Sequence, residues 1–364
     1  MQTYIDRFEV LHRVLDKSAF IAEYNRHWIS PLCTPASFLV QLLLVTAAAA
    51  IFHPDIYTDV VSGQQPIRDH VICWIGAAES WLHSPINQPP QSWEILATHC
   101  LLLVAKRANY IQENSLWMST GALVRWAMAA GYHREAPQTA RISPYQREMR
   151  RRLWVTIIEL DLQAAVERGM PPNIRPEDFH LISPLNIDDK NLRELPDSDH
   201  DMPEDMPHDV FTDTSFQSQL CSSLNVRLEI CASVNSCREQ DDFDRVLILG
   251  QKLEEALQSI PEWNNPQDNP RQQQTAMYVK RLLLIHLHQY MLLLYFQFAV
   301  QAPPSFKSNV CRRARLEASL NLLDRYQSLI HEEKVPEQAC KIGLLLAALN
   351  ICHEIYTDTR LRSK

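Results

Sequence analysis

Residues 144–169, PYQREMRRRLWVTIIELDLQAAVERG, carry the clearest structural signal in the chain. Their apolar side chains recur with the period of an α-helix, which predicts one helix over Pro144–Arg168. One stripe of this helix, at i, i+4, i+7 and i+11, consists of Trp154, Ile158, Asp161 and Ala165. The helix therefore has a face that packs inside the protein and carries one acid into it.

Asp161 is the polar member of that stripe. A carboxylate among apolar side chains needs a cation or hydrogen-bond donors, because an unpaired buried charge is costly. The candidate partners are Arg168 on the same helix and His133 or Arg134 at the end of the preceding one. An ion pair that fixes two helices is the interpretation we favour, and a contact with a ligand is the alternative.

Glycine is scarce in this sequence, with seven residues in 364. Sheets, tight hairpins and phosphate-binding loops depend on glycine, which accepts positive φ without steric cost. No G-x-G-x-x-G or P-loop pattern occurs. Hydrophobic residues make up 46% and charged residues 21%, so a large core can be buried. We expect an all-α fold, a large irregular helical bundle in a single domain.

Helical periodicity and proline positions divide the chain into segments. Thr34 and Pro35 are typical of a helix start, because threonine caps N-termini and proline fits the first turn. The predicted helices are Tyr4–Trp28, Thr34–His53, Ile67–Leu82, Trp93–Gln112, Leu116–Gly131, Pro144–Arg168, Phe216–Val234, Asp242–Ile260, Arg271–Val300, Val310–His331 and Pro336–Tyr356. We predict one domain at 1–330 that contains an acidic, proline-containing loop at 193–214, then a C-terminal helix and tail at 331–364.

The formal net charge is −8, and it has a local source. Residues 186–216 contain ten acids and two bases, an excess of eight acids, so the rest of the chain is neutral overall. This balance opposes a nucleic-acid-binding surface, which requires clustered basic residues. We expect no direct nucleic-acid contact from this chain. The acidic segment is typical of a solvated loop, and an activation surface is the alternative.

The nine cysteines are scattered, and no pair has the C-x-x-C spacing. Most lie in apolar helical runs, where reduced cysteine behaves as a small hydrophobe, so we expect no metal site and a reducing compartment. The longest apolar stretch, Phe38–Phe52, is too short to span a membrane, and the N-terminus has no leader pattern. We therefore expect no association with a membrane.

The sequence has no recognisable catalytic pattern. His286 and His288 are two apart on a helix, so their side chains diverge and cannot chelate one ion. Asp241 and Asp242 resemble the magnesium-binding aspartates of isoprenoid enzymes, but the spacing differs from D-D-x-x-D, and capping of a helix explains them. We predict no catalytic residue, no cofactor and no enzymatic activity. An all-α isoprenoid enzyme is the remote alternative.

Five motifs follow one another between residues 131 and 189. They are Gly131-Tyr132-His133-Arg134; Glu148 with Arg150, Arg151, Arg152 and Trp154; Leu160-Asp161; Gly169-Met170-Pro171-Pro172; and Pro184-Leu185-Asn186-Ile187-Asp188-Asp189. In type, order and spacing they resemble the middle homology region of fungal zinc-cluster transcription factors. The structural signature taken from this resemblance is Gly131, His133, Arg134, Arg151, Arg152, Trp154, Asp161, Gly169, Pro171, Pro172, Asp188 and Asp189. We expect these residues to brace the interior.

The resemblance implies a nuclear transcription regulator, namely a regulatory domain without its own DNA-binding zinc cluster, and control of a metabolic gene cluster. The expected partners are other transcription regulators or a DNA-binding subunit, with a small molecule as effector. The alternative is a small-molecule sensor whose apolar pocket between helices is lined from Phe38–Phe52 and Leu282–Phe298. Arg147 and Arg150–Arg152 fit either ion pairs on a helix or a DNA-contacting or nuclear-import cluster, and we favour ion pairs.

Overall fold

A computed structural model of the chain describes residues 1–54, 56, 66–87, 92–136, 142–193, 202–236, 243–265, 269–301 and 305–362. Within these ranges the chain forms α-helices and short 3₁₀ and π turns, without strands. The all-α fold expected from the scarcity of glycine is confirmed. The predicted roles of Asp241 and Asp242, and of acidic residues 194–201, lie outside the described residues.

The chain divides into two compact units. None of the boundaries between them falls at residue 330, where the sequence predicted a division. The first comprises residues 1–168, 173–207 and 212–221, and the second comprises 169–172, 208–211 and 222–364. The division into domains at 1–330 and 331–364 stays a prediction.

The helices of the first unit follow one another from the N-terminus. They are α1 (Gln2–Tyr4), α2 (Val10–His12), α3 (Lys17–Ile29), α4 (Ala36–Ala49), α5 (Ile67–Leu82), α6 (Trp93–Ala108), α7 (Glu113–Ala129), α8 (Pro144–Arg168), α9 (Asp189–Arg193) and α10 (Ser215–Cys221). A π-helical turn at Ile5–Glu9 joins α1 to α2. Helix α4 packs against α5 and α6, and α8 packs against α6 and α7. The core of this unit therefore lies along α4, α6 and α8.

The helices of the second unit are longer. They are α11 (Leu224–Val234), α12 (Phe243–Gln258), α13 (Pro270–Gln301), α14 (Phe306–His331) and α15 (Glu337–Arg362). Helix α13 packs against α11, α12 and α14, and α14 packs against α15. Two glycines permit these close contacts: a Cβ on Gly250 would overlap the hydroxyl of Tyr295, and a Cβ on Gly343 would overlap that of Tyr326. In the second unit, each helix thus packs on the next helix in sequence, and α13 also packs on α11.

Two predicted helices are interrupted in the structure. The segment Tyr4–Trp28 breaks at Arg13, which adopts a left-handed φ of 46°, and a new helix starts after Asp16, whose carboxylate accepts a hydrogen bond from the Ala19 amide. The segment Phe216–Val234 breaks between Cys221 and Leu224. Serines at 222 and 223 compete with helical hydrogen bonding, and the hydroxyl of Ser223 accepts a hydrogen bond from Arg227.

Candidate functional site

The side chain of Asp189 is the centre of a buried ion cluster in the first unit. Its Oδ1 accepts hydrogen bonds from Arg13 and from Nη1 of Arg152, the latter at 2.7 Å, and its Oδ2 lies 3.2 Å from Nζ of Lys17. The side chains of Arg13 and Arg152 are each 1% exposed. Three cations from two distant segments of the sequence therefore meet on one carboxylate at the start of α9.

Two further buried acids, Glu148 and Glu9, interact with the arginines of this cluster. Nε of Arg152 donates to Oε1 of Glu148 at 3.0 Å, and the Leu185 amide donates to the same oxygen at 3.1 Å. Burial on its own would raise the pKa of Asp189, but Arg13, Arg152 and Lys17 outweigh it and hold this pKa well below its usual value. Burial raises the pKa of Glu9 to about 7, although Arg13 opposes this effect.

The loop before α9 is held by side-chain bonds from Asn186. Its Oδ1 accepts hydrogen bonds from Thr212 Oγ1 at 2.7 Å and Ser215 Oγ at 2.9 Å, and its Nδ2 donates to the Pro207 carbonyl at 2.9 Å. Asp188 continues the pattern, since its Oδ1 accepts from the Asp213 amide at 2.9 Å. The described end of the acidic segment is therefore attached to the family-like motif at 184–189.

Asp161 is bonded to neutral donors rather than to the expected cations. Its Oδ1 accepts from Thr120 Oγ1 at 2.9 Å and from Nδ2 of Asn173 at 2.7 Å, and its Oδ2 accepts from the Asn173 amide at 2.8 Å. Burial raises the pKa of Asp161, and the hydrogen bonds from Asn173 oppose that rise. The prediction of an ion pair to Arg168, His133 or Arg134 was wrong, because three neutral donors satisfy this carboxylate.

The Asn173 side chain also explains the glycine at position 121 of α7. A Cβ on Gly121 would come within 2.7 Å of Oδ1 of Asn173, closer than real contacts allow. Gly121 thus leaves room on α7 for the amide that Asp161 orients. Together, Thr120, Asp161 and Asn173 lock α7, α8 and the chain after the Pro-Pro pair inside the first unit.

The arginines of α8 are engaged in bonds within the protein. Arg147 donates to the Ala136 carbonyl at 2.6 Å, and Arg151 forms a fork with Glu135 at 2.7 and 3.1 Å. Arg150 lies over the ring of Tyr132, with 4.0 Å between its Cζ and the ring centroid. With Arg152 bonded as described above, this segment has the ion-pair geometry that we favoured over a DNA-contacting cluster.

Three further signature residues, Gly131, His133 and Arg134, follow α7. Gly131 lies in the turn after α7 with a φ of 77°, and the carbonyl of His133 accepts from the His180 amide at 3.0 Å. On α8, Trp154 is 3% exposed and packs edge-on against Phe179, with ring centroids 6.0 Å apart. The buried Trp154 and the exposed Arg134 both line a surface pocket of the first unit.

Gly169, Pro171 and Pro172 belong to the second unit. Gly169 has a φ of 65°, the left-handed conformation that ends a helix, and it follows the last residue of α8. The Met170 carbonyl beside it accepts a hydrogen bond from Nδ2 of Asn235 at 3.0 Å. This motif is thus a turn whose backbone is attached to α11.

Sequence analysis did not identify the partners of Asp189 that lie far away along the chain. Arg13 and Lys17 bind Asp189 from 176 and 172 positions away, and no local pattern marks them. Glu148 was visible in its motif as the acid before the three arginines. Among the described residues, no group of three or more His, Cys, Asp or Glu side chains is placed to hold a metal ion, and no helix is long and apolar enough to cross a membrane.

Comparison with known protein families identifies the family of the chain. The fungal specific transcription factor domain matches residues 1–261. The chain belongs to this family. The resemblance drawn from the five motifs is thereby confirmed. No solved structure matches the chain.

Relatives of this family member are named as transcription factors. Transcription factor opdR of Penicillium oxalicum is 31% identical over 87% of this chain and 40% of its own length. Transcription factor lepE of Aspergillus flavus is 28% identical over 99% of this chain and 43% of its own length. The Aspyridones cluster regulator apdR of Emericella nidulans is 27% identical over 82% of this chain. The chain spans about two fifths of the length of the first two relatives.

Proposed function

We propose that this chain is the regulatory domain of a transcription regulator that controls a gene cluster for secondary metabolism in the nucleus. One observation carries the proposal: the family motifs meet in the ion cluster of Asp189, where their charged groups bind one another. Such an arrangement fixes the positions of helices and loops. We therefore infer that the domain acts by binding other molecules.

The names of relatives support the metabolic part of the proposal. The Aspyridones cluster regulator apdR and the Equisetin cluster transcription factor eqxF of Fusarium heterosporum are both named for clusters, and the second is 25% identical over 92% of this chain. We propose the same kind of target for this chain. Its acidic net charge and the bonded arginines of α8 favour contact with promoters through a partner that itself binds DNA.

Helix α15 offers a surface for such a partner. Ile342, Leu345, Leu349 and Tyr356 are 44%, 55%, 58% and 61% exposed. Their spacing of three, four and seven residues is that of a heptad seam, which packs against another helix. A contiguous apolar stripe on one exposed helix face marks a protein interaction site more often than scattered apolar residues do. We propose that an amphipathic helix of the partner packs on this stripe.

A reporter assay tests the function. The chain is fused to an unrelated DNA-binding domain, and expression from its promoter in a fungal host is compared with that of the DNA-binding domain alone. We expect a change in expression that the double variant Leu345→Glu, Leu349→Glu removes. The matched control is Leu320→Glu on α14, an equally exposed leucine off the stripe, which should keep the response.

Expression that does not differ from that of the DNA-binding domain alone would contradict the regulatory proposal. Equal loss in the stripe variant and in the control variant would contradict the partner surface. The thermal unfolding midpoints of all variants are measured in parallel. Exposed leucines contribute little to stability, so these midpoints should stay close to that of the parent chain.

A further inference from the structure

A small surface pocket, partly open to solvent, lies in the first unit, between the turn after α7 and the N-terminal half of α8. Four arginines line it, Arg134, Arg147, Arg150 and Arg151, together with Glu135 and Trp154.

The pocket has more positive than negative charge. Its lining contains four arginines and one acid, an excess of three positive charges. The acid is already occupied, because Glu135 accepts two hydrogen bonds from Arg151 and lies 3.5 Å from Nη1 of Arg147. Arg134 is exposed at the rim. The lining therefore attracts an anion, and a partly enclosed site strengthens that attraction relative to open water.

The indole of Trp154 adds an unused donor. This side chain is 3% exposed, and its Nε1 is buried without a hydrogen-bond partner among the described residues. Buried donors in native proteins are almost always paired, and leaving one unpaired is costly. Because the indole N–H only donates, the group that satisfies it must be an acceptor.

Cations and an unpaired donor in one concave site define the ligand class. Carboxylate and phosphate oxygens accept hydrogen bonds from guanidinium and indole N–H groups and balance positive charge. The overall charge of −8 opposes binding of a long polyanion, whereas a small anion contacts only the pocket.

We propose that this pocket binds a small anion through carboxylate or phosphate oxygens, with Arg134 and the indole N–H of Trp154 as donors. The apolar effector pocket lined from Phe38–Phe52 and Leu282–Phe298 stays a separate prediction. That the bound anion regulates transcription rests on the proposed function, but that the pocket binds an anion does not.

Titration calorimetry on the full chain tests the site, with inorganic phosphate, pyrophosphate and citrate as probes at constant ionic strength. We expect saturable binding of one anion per chain by at least one probe. Arg134→Gln should weaken it about tenfold or more, since a charge-assisted hydrogen bond is lost. Glu135→Gln should tighten it, because the competing carboxylate is removed and two arginines are released. Opposite signs at adjacent positions cannot come from misfolding alone.

Matched controls lie in the same unit. Arg175→Gln removes an exposed arginine that does not line the pocket, and its binding should equal that of the parent chain. Trp154→Phe removes the indole N–H and should weaken binding several-fold. Trp93→Phe removes another buried, unpartnered indole N–H away from the pocket and should not change binding. Phosphate probes and citrate distinguish the two oxygen chemistries.

Three results would overturn the site: no saturable heat with any probe, equal affinity of Arg134→Gln and the parent chain, or displacement of the anion by a short oligonucleotide. Because the titration contains no promoter or partner, its failure would leave the regulatory proposal standing. A silent reporter would likewise leave the anion site standing.

Discussion

In the first unit the carboxylate of Asp189 is bound by Arg13, Lys17 and Arg152, three cations from two distant segments of the sequence. In the second unit the buried Arg315 is bound by Glu354 at 2.9 Å, from the helix that follows its own. The first arrangement fixes the start of the short helix α9. The second joins two helices that apolar packing already holds together, so the two units depend on buried charge to different degrees.

The largest expected effect comes from removing the central acid of the first unit. Asp189→Ala leaves Arg13 and Arg152 buried without their shared counter-charge, and we expect a loss of about 3–5 kcal/mol in the free energy of unfolding. Glu354→Ala is the matched change in the second unit. This change leaves one deeply buried arginine, Arg315, because the other partner of Glu354, Arg312, is 18% exposed, and we expect a loss of about 1–3 kcal/mol.

Urea unfolding of both variants and the parent chain measures this difference. Asp178→Ala, which breaks an ion pair with the 75% exposed Arg175, serves as the surface control and should cost less than about 1 kcal/mol. Equal losses for Asp189→Ala and Asp178→Ala would show that the ion cluster does not stabilise the first unit.

The pH dependence of stability separates two acids of that cluster. The pKa of Glu9 is about 7 in the folded chain, against 4.5 for an ordinary glutamate. Between these values the unfolded chain has lost this proton while the folded chain keeps it, so stability falls as pH rises from about 4.5 to 7. The stabilisation that Asp189 provides has the opposite sign, because its lowered pKa means that this contribution is lost as pH falls below about 4.

The variant Glu9→Gln cannot ionise and isolates the first effect. The charged groups that act on Glu9 are Arg13, Lys17 and Asp189, and the variant keeps them all. The parent chain should lose about 3 kcal/mol more stability than Glu9→Gln between pH 5 and pH 8. Unfolding curves at the two pH values measure this difference. If the stability of both proteins changed equally between the two pH values, the carboxyl group of Glu9 would not have a raised pKa in the folded chain.

The same contrast explains what the sequence could predict. The bounds of Ile67–Leu82 and Pro144–Arg168 were predicted correctly, because helical periodicity is local and prolines mark the ends. The ion pairs of Arg151 and Arg152 were expected from their place beside Trp154 on one helix. The break at Arg13 was not predicted, since the reason for it lies at Asp189, 176 residues away. Contacts between residues that far apart in sequence produce no periodic pattern of residues.

Asp161 shows a second limit. The stripe correctly predicted that this acid is buried among apolar side chains and must be bonded. The choice of partners depended on which loop returns to α8, and there the chain after Pro172 brings Asn173 rather than an arginine. A search for charged partners misses asparagine, because its side-chain amide donates hydrogen bonds but carries no charge. Gly121 was the one local sign, since it makes room for that amide.

The smallest effects concern glycines inside helices of the two units. In the second unit, Gly343→Ala places a methyl group against the hydroxyl of Tyr326, and we expect a loss of about 1–3 kcal/mol from overpacking. In the first unit, Gly76 on α5 has nothing within 4 Å of an added Cβ. Gly76→Ala should stabilise by about 0.5–1 kcal/mol, because alanine loses less backbone entropy in a helix. Thermal unfolding midpoints should therefore move in opposite directions. A stabilising Gly343→Ala would show that α14 and α15 separate easily, and the contrast between a unit fixed by charge and one fixed by close helix contact would fail.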